Sequence, residues 1–313
     1  MNNGKKKIIV ILGPTASGKT RLAVKLANLF NGEIVSADSR QVYKGMDIGT
    51  GKDLEEFSIF NFQFSKKIQI PHHLIDVVSP KKQFDLASYQ KLAFAAIDDI
   101  LSRGKLPILT GGSGLYLQAV VENFKLSDAK KNSAARAAAE ELSADELFSK
   151  LEKLAPKMAL RLNQSDKNNK RRLVRYLEIL EQNESLKREN GRRKYDAMII
   201  GLDCPRSVLK QRIAKRITDR LEGQKMVEEV EKLKVDGLSW KRLESFGLEY
   251  KFISLYLQKK LTYEDMTEKL TIATNQFSKR QATWFKRWEK QGAKINWLSD
   301  EAEIEKLVKK FIE

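Results

Sequence analysis

An α/β fold, a parallel sheet flanked by helices and interrupted by a smaller helical insert, is what this sequence predicts, and three observations carry that expectation. Residues 6–12 (KKIIVIL) are a continuous β-branched run, the kind that is buried on both faces of a parallel sheet. A glycine-bearing loop, a helical pattern and a second strand-like run follow at once, which is the order of a βαβ unit. Strand signals then disappear between about residues 122 and 185 and return at 197–203, so an insert divides the core.

The elements follow in order. TRLAVKLANLF places Leu22, Leu26 and Leu29 on one helical face and stops at Asn31-Gly32, a C-cap pattern. EIVSAD is the second strand. LASYQKLAFAAIDDILSRG reads as a helix ending at Gly104, KLPILT as a strand, and GGSGLYLQAV as a turn opening a new helix. Alanine-rich, charged stretches at 133–162 and 169–181 read as the short helices of the insert. AMIIGLD at 197–203 is a further strand, and after Pro205 a helix carries Leu209, Ile213, Ile217 and Leu221 at four-residue spacing. The rest is helical from a Thr262 to Asp265 cap onward, apart from a short strand KINWL before the last helix. The expected division is 1–121 with 186–313 as core and 122–185 as insert, without repeats or low-complexity segments.

Composition bounds the partners. Lys and Arg number 58 against 41 Asp and Glu, a net charge of +17 over 313 residues, which fits a polyanionic partner or a heavily solvated surface. Cys204 is the single cysteine, which excludes a disulfide framework or a cysteine-based zinc site and suits a reducing compartment. His72 and His73 are the only histidines, and a structural or hydrogen-bonding role is expected for them rather than metal binding. The apolar run Ile8 to Leu12 is too short for a signal segment or a membrane span, so a cytoplasmic protein that does not enter a membrane is expected.

GPTASGKT at 13–20 fits the P-loop pattern G-x-x-x-x-G-K-[ST], and it stands after a strand and before a helix, where that motif needs to be. The sheet is therefore expected to be P-loop NTPase-like. Gly13 and Gly18 permit the tight turn, successive amides of the loop built by Pro14, Thr15, Ala16 and Ser17 wrap phosphate oxygens, Lys19 supplies charge and Thr20 can hold Mg²⁺. The motif does not say which phosphate compound binds or which bond breaks.

Asp38 ends the second strand, at the carboxyl edge where open parallel sheets place ligands. It suits proton transfer, a helix cap or a structural carboxylate equally well from position alone. The segment DSRQVYKGMDIGTGKD is long and chemically specific for a connection. GGSG at 111–114 offers amides and the Ser113 hydroxyl to an anion or nucleotide, a weak signal by itself. A P-loop kinase acting on a small metabolite and a non-enzymatic RNA-binding protein are the competing readings.

GPTASGKT, SADSRQVYKGMDIGT, PHHLID, GGSGLYLQAV, KRRLVRYLEI and KRQATWF occur in the order and approximate spacing of bacterial tRNA dimethylallyltransferases, and the chain resembles that family over nearly its whole length. The resemblance implies transfer of a dimethylallyl group from dimethylallyl pyrophosphate to the exocyclic amine of the adenosine 3′ of the tRNA anticodon, with Mg²⁺ as cofactor and the anticodon stem-loop as partner. It implies a catalytic role for Asp38, with Lys19 and Ser113, and sets the P-loop against the donor. It also places Asp38, Ser39, Arg40, Gln41, Ser113, Arg136, Arg171, Arg172 and Arg175 against tRNA. A monomer is expected, and a relative that prenylates free adenine nucleotides is the nearest alternative.

On the helix at 169–181, Leu173, Val174, Leu177 and Leu180 form an apolar face, with Arg171 and Arg175 adjacent on another side. Phe277, Trp284, Phe285 and Trp288 are read as core, with Lys279, Arg280, Lys286 and Arg287 outward. KRENGRRK at 187–194 either tracks RNA backbone or is a disordered loop. Two departures stand out. Ser113 replaces the threonine of many relatives, and Glu244 stands where several carry a pyrophosphate-contacting arginine, with Arg242 as a speculative substitute.

Overall fold

The computed structural model describes residues 6–52, 58–61, 66–127, 129, 132–182 and 189–313. Internal packing divides the chain into Met1–Glu122 with Arg193–Glu313, and Asn123–Arg192. The strands in chain order are β1 (Lys7–Leu12), β2 (Gly32–Ser36), β3 (Ser58–Asn61), β4 (Lys66–Gln69), β5 (His72–His73), β6 (Leu106–Gly111), β7 (Phe124–Lys125), β8 (Glu189–Asn190), β9 (Asp196–Leu202) and β10 (Ile295–Leu298). Six of them form one parallel sheet in the order β10-β9-β1-β6-β2-β5, while β3 and β4 pair antiparallel, as do β7 and β8.

β1 is central because its side chains are apolar on both faces. Ile8, Val10 and Leu12 pack with Ile97, Leu117, Phe285 and Trp288, while Ile9 and Ile11 pack with Leu22, Leu26, Ile304 and Val308. Each such fully buried aliphatic chain contributes about 1.5–3 kcal/mol relative to exposure. The first face is covered by α2 (Leu86–Ser102), α3 (Gly114–Val121) and a long helix near the C-terminus, the second by α1 (Lys19–Leu29) and the last helix. Asn31 alone takes the left-handed conformation that closes α1 (φ 50), and Gly32 is already the first residue of β2.

The second unit contains α4 (Ser133–Glu141), α5 (Ala144–Leu154), α6 (Pro156–Ala159), α7 (Gln164–Lys167) and α8 (Lys170–Glu181). Leu147, Leu151 and Leu173 form its centre, and Ser143 with Glu146 makes a full capping box at α5. The first unit resumes at Arg193, where the approximate expectation was residue 186. Pairing of β7 with β8 (Phe124↔Asn190, Lys125↔Glu189) keeps the residues up to Arg192 with the second unit.

Back in the first unit come α9 (Arg206–Thr218), α10 (Met226–Val235), α11 (Trp240–Ser245), α12 (Leu248–Leu257), α13 (Tyr263–Lys290) and α14 (Glu301–Ile312). α9 does not run on through Leu221 as its spacing suggested: a π-turn at Asp219–Gly223 follows it, with Arg220 and Leu221 both buried. Such widened turns recur at functional sites. Thr262 caps α13 by accepting from Asp265 N at 3.1 Å, as expected. Among the described residues no helix is long and apolar enough to cross a membrane.

Candidate functional site

The P-loop turns at the carboxyl end of β1. Ala16 (φ 64) and Gly18 (φ 92) both adopt left-handed backbone, which glycine accommodates freely and alanine only under constraint, and α1 begins at the next residue, Lys19. Lys19 Nζ donates to Pro14 O at 2.7 Å. Burial and the neighbouring Arg216 push its ammonium down to about 8, against the opposing pull of Asp38.

Two residues beyond β2, Asp38 folds its own loop: Oδ1 accepts from Arg40 N at 2.8 Å and Gln41 N at 3.4 Å. Among the described residues Oδ2 takes no hydrogen bond. One oxygen of this carboxylate thus serves the loop, and the other is left open. Gln41 accepts from Ser36 Oγ (3.0 Å) and donates to Gly51 O (3.0 Å), while the Glu229 carboxylate collects the amides of Asp47, Ile48 and Gly49. These bonds fix the irregular segment that propensity left undefined.

The second glycine turn leaves β6 at Gly111, where a Cβ would run into the carbonyl of Ala37, so glycine is required by close approach to the Asp38 loop. Ser113 N donates to Ala37 O (3.2 Å), and Ser113 Oγ accepts from Ser39 N (3.0 Å). The Ser113 hydroxyl thus ties the two loops together.

These loops enclose a cavity of about 310 Å³. Among the described residues its charges are Lys19, Arg40, Arg212, Arg216 and Arg220 against the carboxylate of Asp38. Of the residues expected from sequence, Thr15, Ala16, Gly18, Lys19, Thr20, Asp38, Arg40 and Gln41 line it; Gly13, Pro14, Ser17, Ser39 and Ser113 do not, and shape the surrounding loops. Arg40 is committed within the protein. Its Nη1 pairs with the buried Glu249 at 2.5 Å, and its guanidinium lies 5.9 Å from the Phe277 ring centroid. Burial pushes the Glu249 carboxyl up, but Arg40 and Arg220 outweigh it and hold it below its usual range.

The arginines at 212, 216 and 220 were missed, although their four-residue spacing beside the apolar Leu209–Leu221 stripe was a legible signal. Arg216 Nη2 donates to Thr15 Oγ1 at 2.6 Å. Phe277, expected in the core, is half-buried and lines the cavity, whereas Phe285 and Trp288 are buried as expected. Arg242, the suggested substitute for the missing arginine, donates to Pro80 O (2.7 Å) and Lys82 O (2.6 Å) and stacks on Phe246. Glu244 accepts from Gln258 (2.9 Å). Neither lines the cavity; α9 and the π-turn after it supply Arg212, Arg216 and Arg220 instead.

His73 Nε2 lies 2.7 Å from Glu33 and His72 Nδ1 2.8 Å from Ile70 O, and no metal-binding cluster of His, Cys, Asp or Glu occurs among the described residues. In the second unit, Arg136 forms a two-point pair with the buried Glu178 (2.6 and 2.8 Å), and Arg175 adds a contact at 3.3 Å while donating to Ala129 O at 2.8 Å. The basic face expected from Arg171 and Arg175 is thus divided: Arg175 turns inward, Arg172 pairs with Asp166, and Arg171 is exposed. Lys187 and Arg188 of the basic run lie outside the described residues.

A P-loop turn that shares its cavity with a carboxylate having one open oxygen places the chain among P-loop proteins. The family model described as IPP transferase matches residues 41–288. The tRNA dimethylallyltransferase 1 of Syntrophus aciditrophicus is 45% identical over 296 residues, 94% of this chain and 93% of that protein. The crystal structure of a tRNA isopentenylpyrophosphate transferase from Bacillus halodurans superposes with a TM-score of 0.67 at 33% identity, covering 99% of this chain and 96% of that one. A eukaryotic dimethylallyltransferase acting on tRNA gives 0.69 at 30% identity, over 89% and 69% of the respective chains. The chain belongs to the IPP transferase family.

Proposed function

We propose that this chain transfers the dimethylallyl group of dimethylallyl pyrophosphate to the exocyclic N6 amine of the adenosine 3′-adjacent to a tRNA anticodon, releasing pyrophosphate. The observation that carries this reading is a cavity in which, among the described residues, five cations face one carboxylate with a free oxygen. As the carbon–oxygen bond breaks, negative charge gathers on the pyrophosphate, and the P-loop amides, Lys19 and Arg216 are placed to stabilise it. The amine nitrogen forms the new bond to carbon and passes its proton to Asp38 Oδ2, help worth roughly 10²–10⁴-fold. A stacked anticodon-loop adenine reaches such a cavity only when extruded from its stack.

Mg²⁺ fits the donors present. Thr20 lines the cavity, and Thr110 Oγ1, buried at its wall, has no hydrogen-bond partner; one or two hard oxygens together with phosphate and water suit this ion. Thr20 would hold it, and when bound it supplies charge neutralisation to the leaving group. On the RNA side the resemblance points to Ser39, Arg40, Gln41, Ser113, Arg136, Arg171, Arg172 and Arg175; Arg136, Arg172 and Arg175 are held in ion pairs within the protein, so we assign the phosphate contact to the exposed Arg171. Cys204 as the single cysteine suits a reducing compartment, so we place the enzyme in the cytoplasm, and we take it to be a monomer.

The test is to incubate the protein with dimethylallyl pyrophosphate, Mg²⁺ and an anticodon stem-loop. Prenylated RNA with released pyrophosphate is expected. Transfer of the ATP γ-phosphate to a metabolite, with no prenylated RNA, would overturn the assignment.

A further inference from the structure

α13 reaches the cavity at two residues one turn apart, Phe277 and Gln281. The Gln281 side chain is nine-tenths buried (7% exposed), and its amide is used at both ends. Oε1 accepts from Thr15 N of the P-loop at 2.8 Å, and Nε2 donates to Gly112 O of the second glycine turn at 2.9 Å. The bonding continues outward in both directions. On one side Thr15 Oγ1 accepts from Arg216; on the other, Ser113, next to Gly112, binds Ala37 O and Ser39 N, the residues that flank Asp38. Covalent and hydrogen-bonded links thus run from the donor cradle to the loop of the base, with Gln281 spanning the gap between the two glycine loops.

Its chemistry suits that span and little else. Both polar atoms are already taken, so Gln281 brings no charge to the leaving group. The Thr15 amide it holds is one that the P-loop does not turn toward phosphate. A neutral carboxamide or a protonated carboxyl can accept from an amide and donate to a carbonyl at the same time, whereas an ionised carboxylate can only accept. We propose that Gln281 is a positioning residue that sets the separation between the pyrophosphate cradle and Asp38, so that Oδ2 meets the attacking amine as the carbon–oxygen bond breaks. This rests on the prenyl transfer proposed above. A misplacement of about 1 Å in such a geometry costs on the order of 10²-fold in rate.

Gln281→Met keeps the length and removes both bonds; Gln281→Glu keeps the acceptor and loses the donor whenever it is ionised. For Gln281→Met, kcat is expected to fall on the order of 10²-fold with KM for either substrate changed only a few-fold. Gln281→Glu should show the same loss at neutral pH and regain activity, relative to wild type at each pH, as acidification restores the donor. An unchanged kcat, or a rise in donor KM at constant kcat, overturns the proposal. So does failure of Gln281→Met to fold together with no acid recovery in Gln281→Glu, which would mark the amide as merely structural. Hydrogen exchange at the Thr15 amide without substrates separates this inference from the reaction itself: it should be faster in Gln281→Met whatever the wild type catalyses, and unchanged exchange removes the tie. Absence of prenylated RNA with wild type would instead sink the functional reading.

Discussion

Arg216 donates from Nη2 to the hydroxyl of Thr15 at 2.6 Å, joining α9 to a P-loop 201 residues earlier in the chain. In the proposed reaction this bond holds the guanidinium at the rim of the cradle, where it adds to the charge of Lys19. Replacing Arg216 by Ala is expected to remove a charged hydrogen-bonding group worth about 1.5–3 kcal/mol, raising the donor KM roughly ten- to a hundred-fold. Steady-state kinetics against dimethylallyl pyrophosphate check this; an unchanged KM would leave Arg216 a loop anchor only.

Asp38 permits a sharper separation of roles. An Asn at this position can still accept from Arg40 N and Gln41 N through Oδ1, so Asp38→Asn should keep the loop and the melting temperature while slowing chemistry roughly 10²–10⁴-fold. Asp38→Ala loses the turn as well, at an added cost of about 0.5–1.5 kcal/mol per hydrogen bond. Single-turnover rates beside thermal melts distinguish them. If Asn turns over like wild type, the base lies elsewhere.

Lys19 sets a pH limit. Its pKa is lowered to about 8 by burial and Arg216, and pyrophosphate binding requires the charged form. Protons are therefore taken up on binding, and donor affinity should fall as pH rises through about 8. In Arg216→Ala the fall should move to higher pH, since one of the groups depressing Lys19 is gone. A pH series of pyrophosphate titrations decides it, and a flat profile across that range would contradict the assignment.

In the second unit the arginines separate by environment. Arg171→Ala should weaken RNA binding and reduce its salt slope by about one, with stability unchanged. Arg136→Ala leaves the 1% exposed Glu178 without its two-point partner and should lower the melting temperature of the protein. Salt-dependent binding isotherms and calorimetry read these separately. Equal effects from both variants would refute the division.

What was legible in the sequence was local. The apolar run of β1, the P-loop signature and Asp38 at the edge of β2 are written in a few consecutive residues, and the structure puts them where spacing required. The remaining features depend on partners far along the chain. Gln281 meets Thr15 across 266 residues, and Glu178 looks like a solvated position until Arg136 approaches it. Phe277 belongs to the same helical stripe as Phe285, yet it sits where that stripe passes the cavity. Periodicity says which face is apolar; it does not say where the opposing wall is missing.

In the proposed reaction the P-loop holds a departing pyrophosphate while Asp38 relieves an adenine amine of its proton, so the two products form together. The direct measurement is the ratio of pyrophosphate released to nucleoside prenylated, for stem-loops carrying adenosine or inosine 3′ of the anticodon. Equal amounts of both products with adenosine and neither with inosine, which lacks the amine, is the predicted result. Pyrophosphate release that continues undiminished with inosine would contradict it, since the cavity would then be cleaving its donor without an amine to receive it.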